Sequence, residues 1–519
     1  MWISVIVTIG LFRLGYSEFE NNDQWRRQAR ADLERAKNVK QITSLAKNVV
    51  LMIGDGMGLP TVTAGRIYTG QKKGQTGEEY KFTFEQFPNV ALSKTYNLDR
   101  QVPDSAGTAS AIMTGVKVNL GTLGVDGSVP FGENCTEYRK DRHLKTVLDY
   151  ALESGKSVGI VTTTRITHAT PGAAYAHTPH RDWESDTDMK NTPGCGHLKD
   201  IAYQLVMDNP NIQVILGGGR RSFINNTTPD PGTNKISSNQ RTDGLDLREE
   251  WKREKRSRGV AHAYVENKAQ FDAVDASKTN YLFGLFTSGH MTYELERNLT
   301  EEPSLSEMVD KAIRILRKNP KGYFLLIEGG RIDHAHHDNY GKKALEETYE
   351  FDNAVKRVGQ MVSIQDTLTI VTADHSHAFG MVGYPSRGKN ILGFADVLKG
   401  EEPKDDLPYL TMNYLNGPAF GRTDLTSVNT RDNNFQQPGC VPIKVSAHGG
   451  EDVAIYAQGP MSHLFHTTHE QNYIGHVMMY ASCIGEYKSS CDYKKRVPWE
   501  TLGHIFSMLR QRRETNCNH

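Results

Sequence analysis

The 519-residue chain has no excess of charge of either sign and no apolar run long enough to span a membrane. Its 61 Lys and Arg residues balance 61 Asp and Glu residues. Because nucleic-acid-binding proteins carry a basic surface, this balance argues against nucleic acid as the main partner. A membrane-spanning helix needs about 20 consecutive apolar residues, and no segment supplies them. We therefore expect neither a nucleic-acid partner nor a stable membrane anchor.

The apolar run at the N-terminus, residues 2–12, is too short for a membrane span and is typical of the centre of a secretory signal peptide. No Lys or Arg precedes this run, but the small residues Gly15 and Ser17 suit cleavage after residue 17. The last segment, 507–519, is polar, so no lipid-anchor signal is visible. We predict a signal peptide over 1–17 and a soluble protein that is secreted to the extracellular space.

Cysteine is scarce, with six residues in the whole chain. An even number is compatible with disulfides in an oxidising compartment. Cys483 and Cys491 are close enough to bridge a short loop, and Cys135 can pair with Cys195. The remaining two cysteines are Cys440 and Cys517. These two pair with each other, pair between chains or stay free, and the sequence leaves the connectivity open.

Asn-X-Ser/Thr sequons also fit a secreted protein, because they are acceptors for N-linked glycans. The candidate glycosylation sites are Asn134, Asn225, Asn226 and Asn298.

Short apolar segments alternate with segments of helical periodicity along most of the chain. The predicted strands are 48–53, 157–163, 214–216, 323–327, 367–372 and 452–456. Most are continuously apolar, as expected for strands covered on both faces. The predicted helices are 144–153, 304–316 and 343–362, and Ser304 with Glu307 forms a capping box for the second. The alternation predicts an α/β fold with one large, mostly parallel central sheet and helices on both faces.

Two regions differ from this pattern. In residues 22–46, Trp25, Ala29, Leu33 and Ala36 recur at three- and four-residue spacing, which predicts an amphipathic surface or interface helix. Residues 381–447 are rich in Gly, Pro, Asn and Asp and indicate an insertion or cap. We divide the chain into a signal peptide (1–17), an N-terminal region (18–46), a main domain (47–490) that contains the insertion, and a tail (491–519).

No histidine lies near the serine that most resembles a nucleophile. Ser105 stands between Asp104 and a run of small residues in the segment VPDSAGTASA, 102–111. Such a run lets a serine lie at the N-terminus of a helix, where free N–H groups and the helix dipole favour an anion. Without a nearby base, the pattern predicts activation by metal rather than by a Ser-His-Asp triad.

Carboxylate and imidazole side chains follow three of the predicted strands. The candidate metal ligands are Asp55, Glu328, Asp333, His337, Asp374, His375 and, before the last strand, His448. Asp333 and His337 stand at i and i+4, where both can bind one ion. Mixed Asp/His ligation suits zinc, and oxygen ligands suit magnesium. Because parallel strands end at one edge of a sheet, we expect these groups to lie together.

Five segments resemble the signature motifs of animal alkaline phosphatases, in the family's order. They are GDGMG (54–58), DSAGTA (104–109), TTTR (162–165), EGGRIDH (328–334) and TADHSH (372–377). The similarity runs from about residue 40 to about residue 490, which is most of the chain. The resemblance implies the alkaline-phosphatase fold and two Zn²⁺ ions and one Mg²⁺ ion per subunit.

The resemblance also implies a role for each site residue. Ser105 matches the nucleophile that becomes phosphoserine, and Arg181 matches the arginine that binds the phosphate. Asp333, His337 and His448 match the ligands of the first zinc ion. Asp55, Asp374 and His375 match those of the second, with Ser105 reaching it too. Asp55, Glu328 and Thr170 match the magnesium site, where many relatives have serine in place of this threonine. His168 and His377 match residues just outside the ligands.

The implied activity is metal-dependent hydrolysis of phosphate monoesters at alkaline pH, with broad specificity. The implied assembly is a homodimer, with residues 22–46 reaching the partner subunit and residues 381–447 as a crown at the interface. The family pairing fits Cys135–Cys195 and Cys483–Cys491. A further calcium site is doubtful, because Gly232 and Thr287 stand where many vertebrate relatives have acidic residues, although Glu302 remains.

Two alternatives are disfavoured by the same residues. Phosphodiesterases of this superfamily usually have a threonine nucleophile and lack the glutamate that is Glu328 here. A secreted binding protein with a silent active site would have lost Ser105, Arg181 or a metal ligand, and none is lost.

Overall fold

The computed structural model describes residues 22–132, 135, 138–189, 192, 194–489 and 491. The predicted signal peptide and nearly all of the predicted tail lie outside the described residues. Contacts divide the chain into two units, residues 1–41 and 42–519. In the first unit, helix α1 (Asn22–Lys37) has no buried residue. The helix ends at Lys37, well before residue 46. Just after its last residue, Nδ2 of Asn38 donates to the carbonyl of Glu34 (2.7 Å) and satisfies one of the terminal helix acceptors.

A ten-stranded sheet is the centre of the second unit. Its strands in chain order are β1 (Asn48–Gly54), β2 (Asn89–Lys94), β3 (Ser157–Arg165), β4 (Val214–Gly218), β5 (His262–Val265), β6 (Tyr281–Leu285), β7 (Tyr323–Gly329), β8 (Thr367–Ala373), β14 (Val453–Gln458) and β15 (Thr468–Glu470). Their order across the sheet is β15-β2-β14-β8-β1-β7-β3-β4-β6-β5. All neighbours are parallel except β14, which is antiparallel to both β8 and β2. The predicted mostly parallel α/β sheet is confirmed.

Shorter strands lie outside this sheet. They are β9 (Ser376–His377), β10 (Phe379–Met381), β11 (Met412–Gly417), β12 (Gly439–Pro442) and β13 (His448–Gly449). β9 pairs with β13, and β10, β11 and β12 form a three-stranded sheet. Most of this small sheet falls in the predicted insertion. Two residues of the insertion, Tyr414 and Leu392, belong to one apolar cluster with Ala64 and Leu345.

The helices that follow α1 cover the large sheet. They are α2 (Leu59–Lys72), α3 (Ser105–Thr114), α4 (Val147–Glu153), α5 (Ala169–Gly172), α6 (Ile201–Tyr203), α7 (Leu247–Ser257), α8 (Lys268–Ala273), α9 (Leu305–Leu316), α10 (Arg331–His337), α11 (Gly341–Met361) and α12 (Tyr473–Ser482). The predicted capping box is present at α9, because the Ser304 and Glu307 side chains each accept from the other's backbone N–H. Among the described residues, no helix has both the length and the apolar composition that crossing a bilayer requires.

The central strands are buried on both faces. Every residue of β1, β7 and β8 is buried. Alternate residues enter two separate cores, with Leu51 and Ile53 in one and Val50 and Met52 in the other. This two-sided burial is the reason that these strands are continuously apolar in sequence.

The sequence pattern missed β2, β5, β6 and β15. β2 alternates between exposed and buried residues rather than forming an apolar run. β5 and β15 are short strands at the two edges of the sheet. In strands that are half-exposed or short, only one face or a few residues need be apolar. The apolar pattern in their sequence is therefore weak.

The register brings the polar ends of three neighbouring strands together. Ile53 of β1 is opposite Glu328 of β7, and Gly54 is opposite Ala373 of β8. Thr162 of β3 is also opposite Glu328. The residues that follow these strands therefore meet at one edge of the sheet.

Two disulfides lie within the described residues, Cys135–Cys195 and Cys483–Cys491. Both match the predicted pairing. Cys440 is exposed and has no disulfide partner in the part of the chain that the structure describes. Cys517 lies outside that part.

Candidate active site and metal centres

Ser105 is the first residue of α3, and Asp104 is the N-cap of this helix. The Asp104 carboxylate accepts from the backbone N–H of Gly107 (3.1 Å) and of Gly121 (2.9 Å). Gly107 is required by close packing, because an added Cβ would lie 2.2 Å from Nδ2 of Asn97. The predicted placement of Ser105 at a helix N-terminus is confirmed. Its side chain is buried, and Oγ lies 3.0 Å from Nε2 of His375 and 3.4 Å from Oδ1 of Asp55.

The first cluster of candidate metal ligands consists of Asp333 and His337 from α10, His448 from β13 and His377 from β9. The β9–β13 pairing sets His448 directly opposite His377. Nδ1 of His337 donates to the Ser446 carbonyl (2.6 Å), which leaves its Nε2 as an acceptor 3.2 Å from Oδ2 of Asp333. A carboxylate oxygen and a ring nitrogen this close require a proton or a metal ion between them, and this donor set suits zinc.

His377 contributes less directly to this cluster. Its Nε2 lies 3.1 Å from Oδ1 of Asp333, whereas its Nδ1 is buried without a hydrogen-bond partner. An imidazole that donates to a ligating carboxylate orients it, as residues just outside metal ligands do.

The second cluster lies beside Ser105. Nδ1 of His375 contacts the Ser376 carbonyl (3.0 Å), so Nε2 is again the acceptor. This Nε2 lies 3.4 Å from Oδ1 of Asp55 and 3.2 Å from Oδ2 of Asp374. All three residues are fully buried. Buried carboxylates without a neighbouring cation are costly, so these residues also fit a bound metal ion.

The third cluster is formed by oxygen atoms. Oδ2 of Asp55, Oε1 of Glu328 and Oγ1 of Thr170 are buried and have no hydrogen-bond partner among the described residues. The other carboxylate oxygen of Glu328 is held by the hydroxyls of Thr162 and, at 3.0 Å, Thr164. A hard oxygen donor set of this kind fits magnesium.

Arg181 lies between Asp104 and His168. Nη1 donates to Oδ2 of Asp104 (3.0 Å), and Nη2 donates to Nε2 of His168 (3.2 Å). Because Asp104 immediately precedes Ser105, these bonds hold the guanidinium beside the serine. The nearby Asp55 and Glu328 also share a cluster of possible ligand atoms with His168.

The pKa values reflect this crowding of charge. Burial, together with Asp374, Asp333 and Glu328, raises the pKa of Asp55 well above its usual range. Burial raises the pKa of Glu328 to about 7. Burial lowers the pKa of His337, but the Asp333 carboxylate outweighs it and brings this pKa to about 9. The raised pKa values of Asp55, Glu328 and His337 show that this centre attracts positive charge, as the donor atoms of a metal site do.

The structure brings together the site residues that the sequence predicted. The predicted glycosylation sites are not part of this group. Asn226 and Asn298 are exposed and Asn225 is half-buried, whereas Asn134 lies outside the described residues.

The groups at the doubtful calcium positions have partners within the protein. Glu302 accepts from the backbone and the hydroxyl of Thr292, and Thr287 donates to the Gly289 carbonyl. Gly232 lies against Arg220, whose guanidinium pairs with Asp230 at 2.8 Å.

Sequence reasoning missed several neighbours of the site. The TTTR motif (162–165) was recognised, but no role was predicted for Thr162 and Thr164, whose hydroxyls hold Glu328. His336 was hidden in a histidine-rich run. It is fully buried between Thr61 Oγ1 (2.9 Å) and Tyr414 OH (2.7 Å), and so has a structural role.

The fold and the site define an α/β protein with a buried serine among clusters of candidate metal ligands, at the carboxyl edge of a mostly parallel sheet. The family model for alkaline phosphatase matches residues 46–484. The chain therefore belongs to the alkaline phosphatase family, and it is a metal-dependent enzyme that hydrolyses phosphate monoesters.

Named relatives match over nearly the full length. The tissue-nonspecific isozyme of alkaline phosphatase from Rattus norvegicus is 48% identical over 476 residues, which is 90% of each chain. The alkaline phosphatase of Gadus morhua is 45% identical over 482 residues, covering 91% of this chain and 99% of the relative. The structure of Thermus thermophilus alkaline phosphatase has a TM-score of 0.61 at 22% identity, covering 86% of this chain and 93% of the other. At 22% identity, this similarity shows only that the two proteins have the same fold.

Proposed function

We propose that Ser105 is the nucleophile and that the reaction passes through a phosphoserine. The observation that carries this proposal is the position of Ser105 Oγ at the N-terminus of α3, 3.0 Å from His375 Nε2 and 3.4 Å from Asp55 Oδ1. A helix N-terminus favours the negative charge of a phosphoryl group. The serine hydroxyl supplies the attacking oxygen, and its phosphoester can form as a covalent intermediate.

Two zinc ions and one magnesium ion are proposed to occupy the three clusters. Asp333, His337 and His448 would hold one zinc ion. Asp55, Asp374 and His375, with Ser105, would hold the other. Asp55, Glu328 and Thr170 would hold magnesium. When bound, these ions would lower the pKa of a hydroxyl and a water molecule and neutralise charge on the phosphate.

The residues of the chain then account for two in-line steps. Ser105 Oγ attacks phosphorus, the ester bond to the leaving alcohol breaks, and the alcohol oxygen takes a proton. A water molecule next attacks the phosphoserine, and the bond between phosphorus and Ser105 Oγ breaks. Oγ takes up a proton equivalent to the one that the water loses, and inorganic phosphate is the product. Arg181 is already fixed by Asp104 and His168, so its N–H groups can donate to phosphoryl oxygens throughout. Two inversions give retention at phosphorus.

Specificity and pH dependence follow from which groups contact the substrate. The proposed contacts are to the phosphate and not to the alcohol, which supports broad specificity among monoesters. Ionisation of the Ser105 hydroxyl and of water supports activity that rises toward alkaline pH. His168 and His377 are proposed as positioning residues, through Arg181 and Asp333 respectively.

Two other activities are less well supported. A phosphodiesterase of the same superfamily is disfavoured by Glu328 and by serine rather than threonine at residue 105. A catalytically silent secreted binding protein is disfavoured because Ser105, Arg181 and every candidate ligand are present.

Secretion, glycosylation and dimerisation are proposed on separate grounds. The Cys135–Cys195 disulfide and the exposed Asn226 and Asn298 sequons support an oxidising, glycosylating compartment. The resemblance to animal alkaline phosphatases supports a homodimer, with residues 22–46 and 381–447 at the interface.

The test compares 4-nitrophenyl phosphate with bis(4-nitrophenyl) phosphate between pH 7 and pH 10. We expect the monoester to be hydrolysed much faster, and chelation to abolish the rate. Zinc and magnesium together should restore it. Faster hydrolysis of the diester, or a rate that survives complete metal removal, would overturn the proposal.

A further inference from the structure

Three histidines meet on the far side of Arg181 from Ser105. They are His168, His290 and His334, and their possible ligand atoms lie within 4.8 Å of one another. The ring of His290 is 4.1 Å from that of His334 and 5.2 Å from that of His168. His290 lies in the loop after β6 and has no role in the proposed reaction. His290 and His334 are half-buried, so a solute can reach them.

His334 presents a hydrogen-bond donor to this cluster. Nη1 of Arg331 lies 3.1 Å from Nδ1 of His334. Arginine can only donate, so Nδ1 must accept and Nε2 must carry the proton. No hydrogen bond to this Nε2 is formed within the described part of the chain.

His290 also presents a donor that lacks an acceptor. Nδ1 of His290 lies 3.2 Å from the backbone N–H of Arg165, and Nε2 contacts Nη1 of the same residue. Both groups of Arg165 are donors. Whichever ring nitrogen of His290 carries the proton therefore faces another N–H group.

Arg331 adds a positive charge that no carboxylate neutralises directly. Its guanidinium lies 3.7 Å from the ring centroid of Tyr293 and forms no ion pair with any described residue. Its Nε is buried and has no hydrogen-bond partner in the part of the chain that the structure describes. Burial, together with the positive charges of Arg165, Arg331 and Arg221, lowers the pKa of His290 far below its usual range. Arg165 differs, because Glu184 neutralises it at 2.8 and 3.0 Å.

The chemistry is the reverse of that around His337 and His448. There the ring nitrogens face each other and the Asp333 carboxylate, which fits a cation. Around His290 they are donors beside guanidinium groups, which fits an anion. A metal ion would need lone pairs that the Arg165 and Arg331 N–H groups already occupy.

We propose that His290, His334 and Arg331 form a second binding site for a phosphate group, next to the one at Arg181. This proposal rests on the proposed function, because Arg181 is there assigned to the transferred phosphate. His168 connects the two sites: it accepts from Arg181 at 3.2 Å, and its ring is 5.1 Å from that of His334. The second site would bind either the outer phosphate of a phosphoanhydride substrate or a free phosphate ion.

The test uses the full-length, metal-loaded enzyme and its His290→Ala variant. For a phosphoanhydride occupant, we expect the KM for inorganic pyrophosphate to rise about tenfold, the size expected for one lost charge-assisted hydrogen bond. The KM for 4-nitrophenyl phosphate should change less than about twofold. Arg331→Gln should act in the same direction. The exposed His466, changed to Ala, is the matched control.

Calorimetry with inorganic phosphate separates the two sources. A selective change in the KM for pyrophosphate supports a phosphoanhydride. Loss of one of two bound phosphates per subunit in His290→Ala supports a free phosphate ion. Three results would each overturn the proposed second site. The first is an equal change in KM for both substrates. The second is an unchanged phosphate stoichiometry with no selective change in KM, and the third is the loss of one metal ion per subunit. If the native enzyme failed to hydrolyse 4-nitrophenyl phosphate, the proposed function would fail, and calorimetry would still test the second site.

Discussion

The Nε2 atoms of His337 and His448 lie 3.2 Å apart and face each other. Nδ1 of His448 lies 2.8 Å from the Pro103 carbonyl, and Nδ1 of His337 lies 2.6 Å from the Ser446 carbonyl. Each Nδ1 must therefore donate, so each ring in its neutral form has a lone pair on Nε2. Two lone pairs this close, beside the Asp333 carboxylate, attract a cation between them.

Replacing His448 should remove one metal ion. We expect His448→Ala to bind one zinc ion fewer per subunit and to lose at least about a hundredfold in the rate on 4-nitrophenyl phosphate. Metal analysis of the dialysed protein measures the first effect and initial rates the second. His466→Ala should retain both metal content and rate. An unchanged zinc content in His448→Ala would exclude His448 as a ligand.

Sequence reasoning predicted the site better than its surroundings, for a physical reason. Asp55, Glu328 and Asp374 follow or end continuously apolar strands, and parallel strands bring such ends together. His448 has no comparable signal, because its position depends on the two-residue pairing of β13 with β9. The donor cluster at His290 was also missed. Its loop carries no periodicity, and its chemistry depends on side-chain hydrogen bonds to Arg165 and Arg331 that only the folded chain shows.

Ser105→Ala should abolish both turnover and the covalent intermediate. The change removes the attacking oxygen, so we expect a loss of at least about 10⁴-fold in kcat. We expect Ser105→Ala to lose less metal than His448→Ala. Acid quenching with radiolabelled phosphate, followed by gel analysis, measures the phosphoenzyme. A labelled band of native intensity in Ser105→Ala would assign the nucleophile to another residue.

Thr170 offers a matched pair of variants for the proposed magnesium site. Thr170→Ser keeps the buried hydroxyl that lacks a partner, and should retain magnesium. Thr170→Val has nearly the same shape without the oxygen, and we expect its magnesium affinity to fall about tenfold or more. Titration of the chelated enzyme with magnesium, followed by activity and calorimetry, gives both affinities. Equal affinities in the two variants would remove Thr170 from the site.

Arg181→Lys should weaken phosphate binding although the positive charge remains. Lysine cannot donate to Asp104, His168 and phosphate in the fixed planar arrangement that the guanidinium provides. We expect the inhibition constant of inorganic phosphate to rise about tenfold or more. Native values for inhibition and KM in Arg181→Lys would show that only the charge is needed.

Glu347 should make the folded enzyme less stable as pH rises, independently of the active site. Glu347 is 5% exposed, and burial raises its pKa from 4.5 to about 8. The folded state therefore retains a proton that the unfolded chain loses above pH 4.5. The stability that this proton contributes is complete below pH 4.5 and is lost as pH rises through about 8.

Glu347→Gln removes this titration and keeps an oxygen that can accept from the backbone N–H of Glu294, now 2.6 Å from the carboxylate. We expect the variant to gain on the order of 2 kcal/mol over the native enzyme at pH 9 and almost nothing at pH 4.5. Thermal unfolding of both metal-saturated proteins across this range measures the difference. Glu401→Gln, at an exposed residue, should show no pH-dependent difference. A Glu347→Gln gain that stayed constant with pH would mean that the carboxyl group does not titrate in this range.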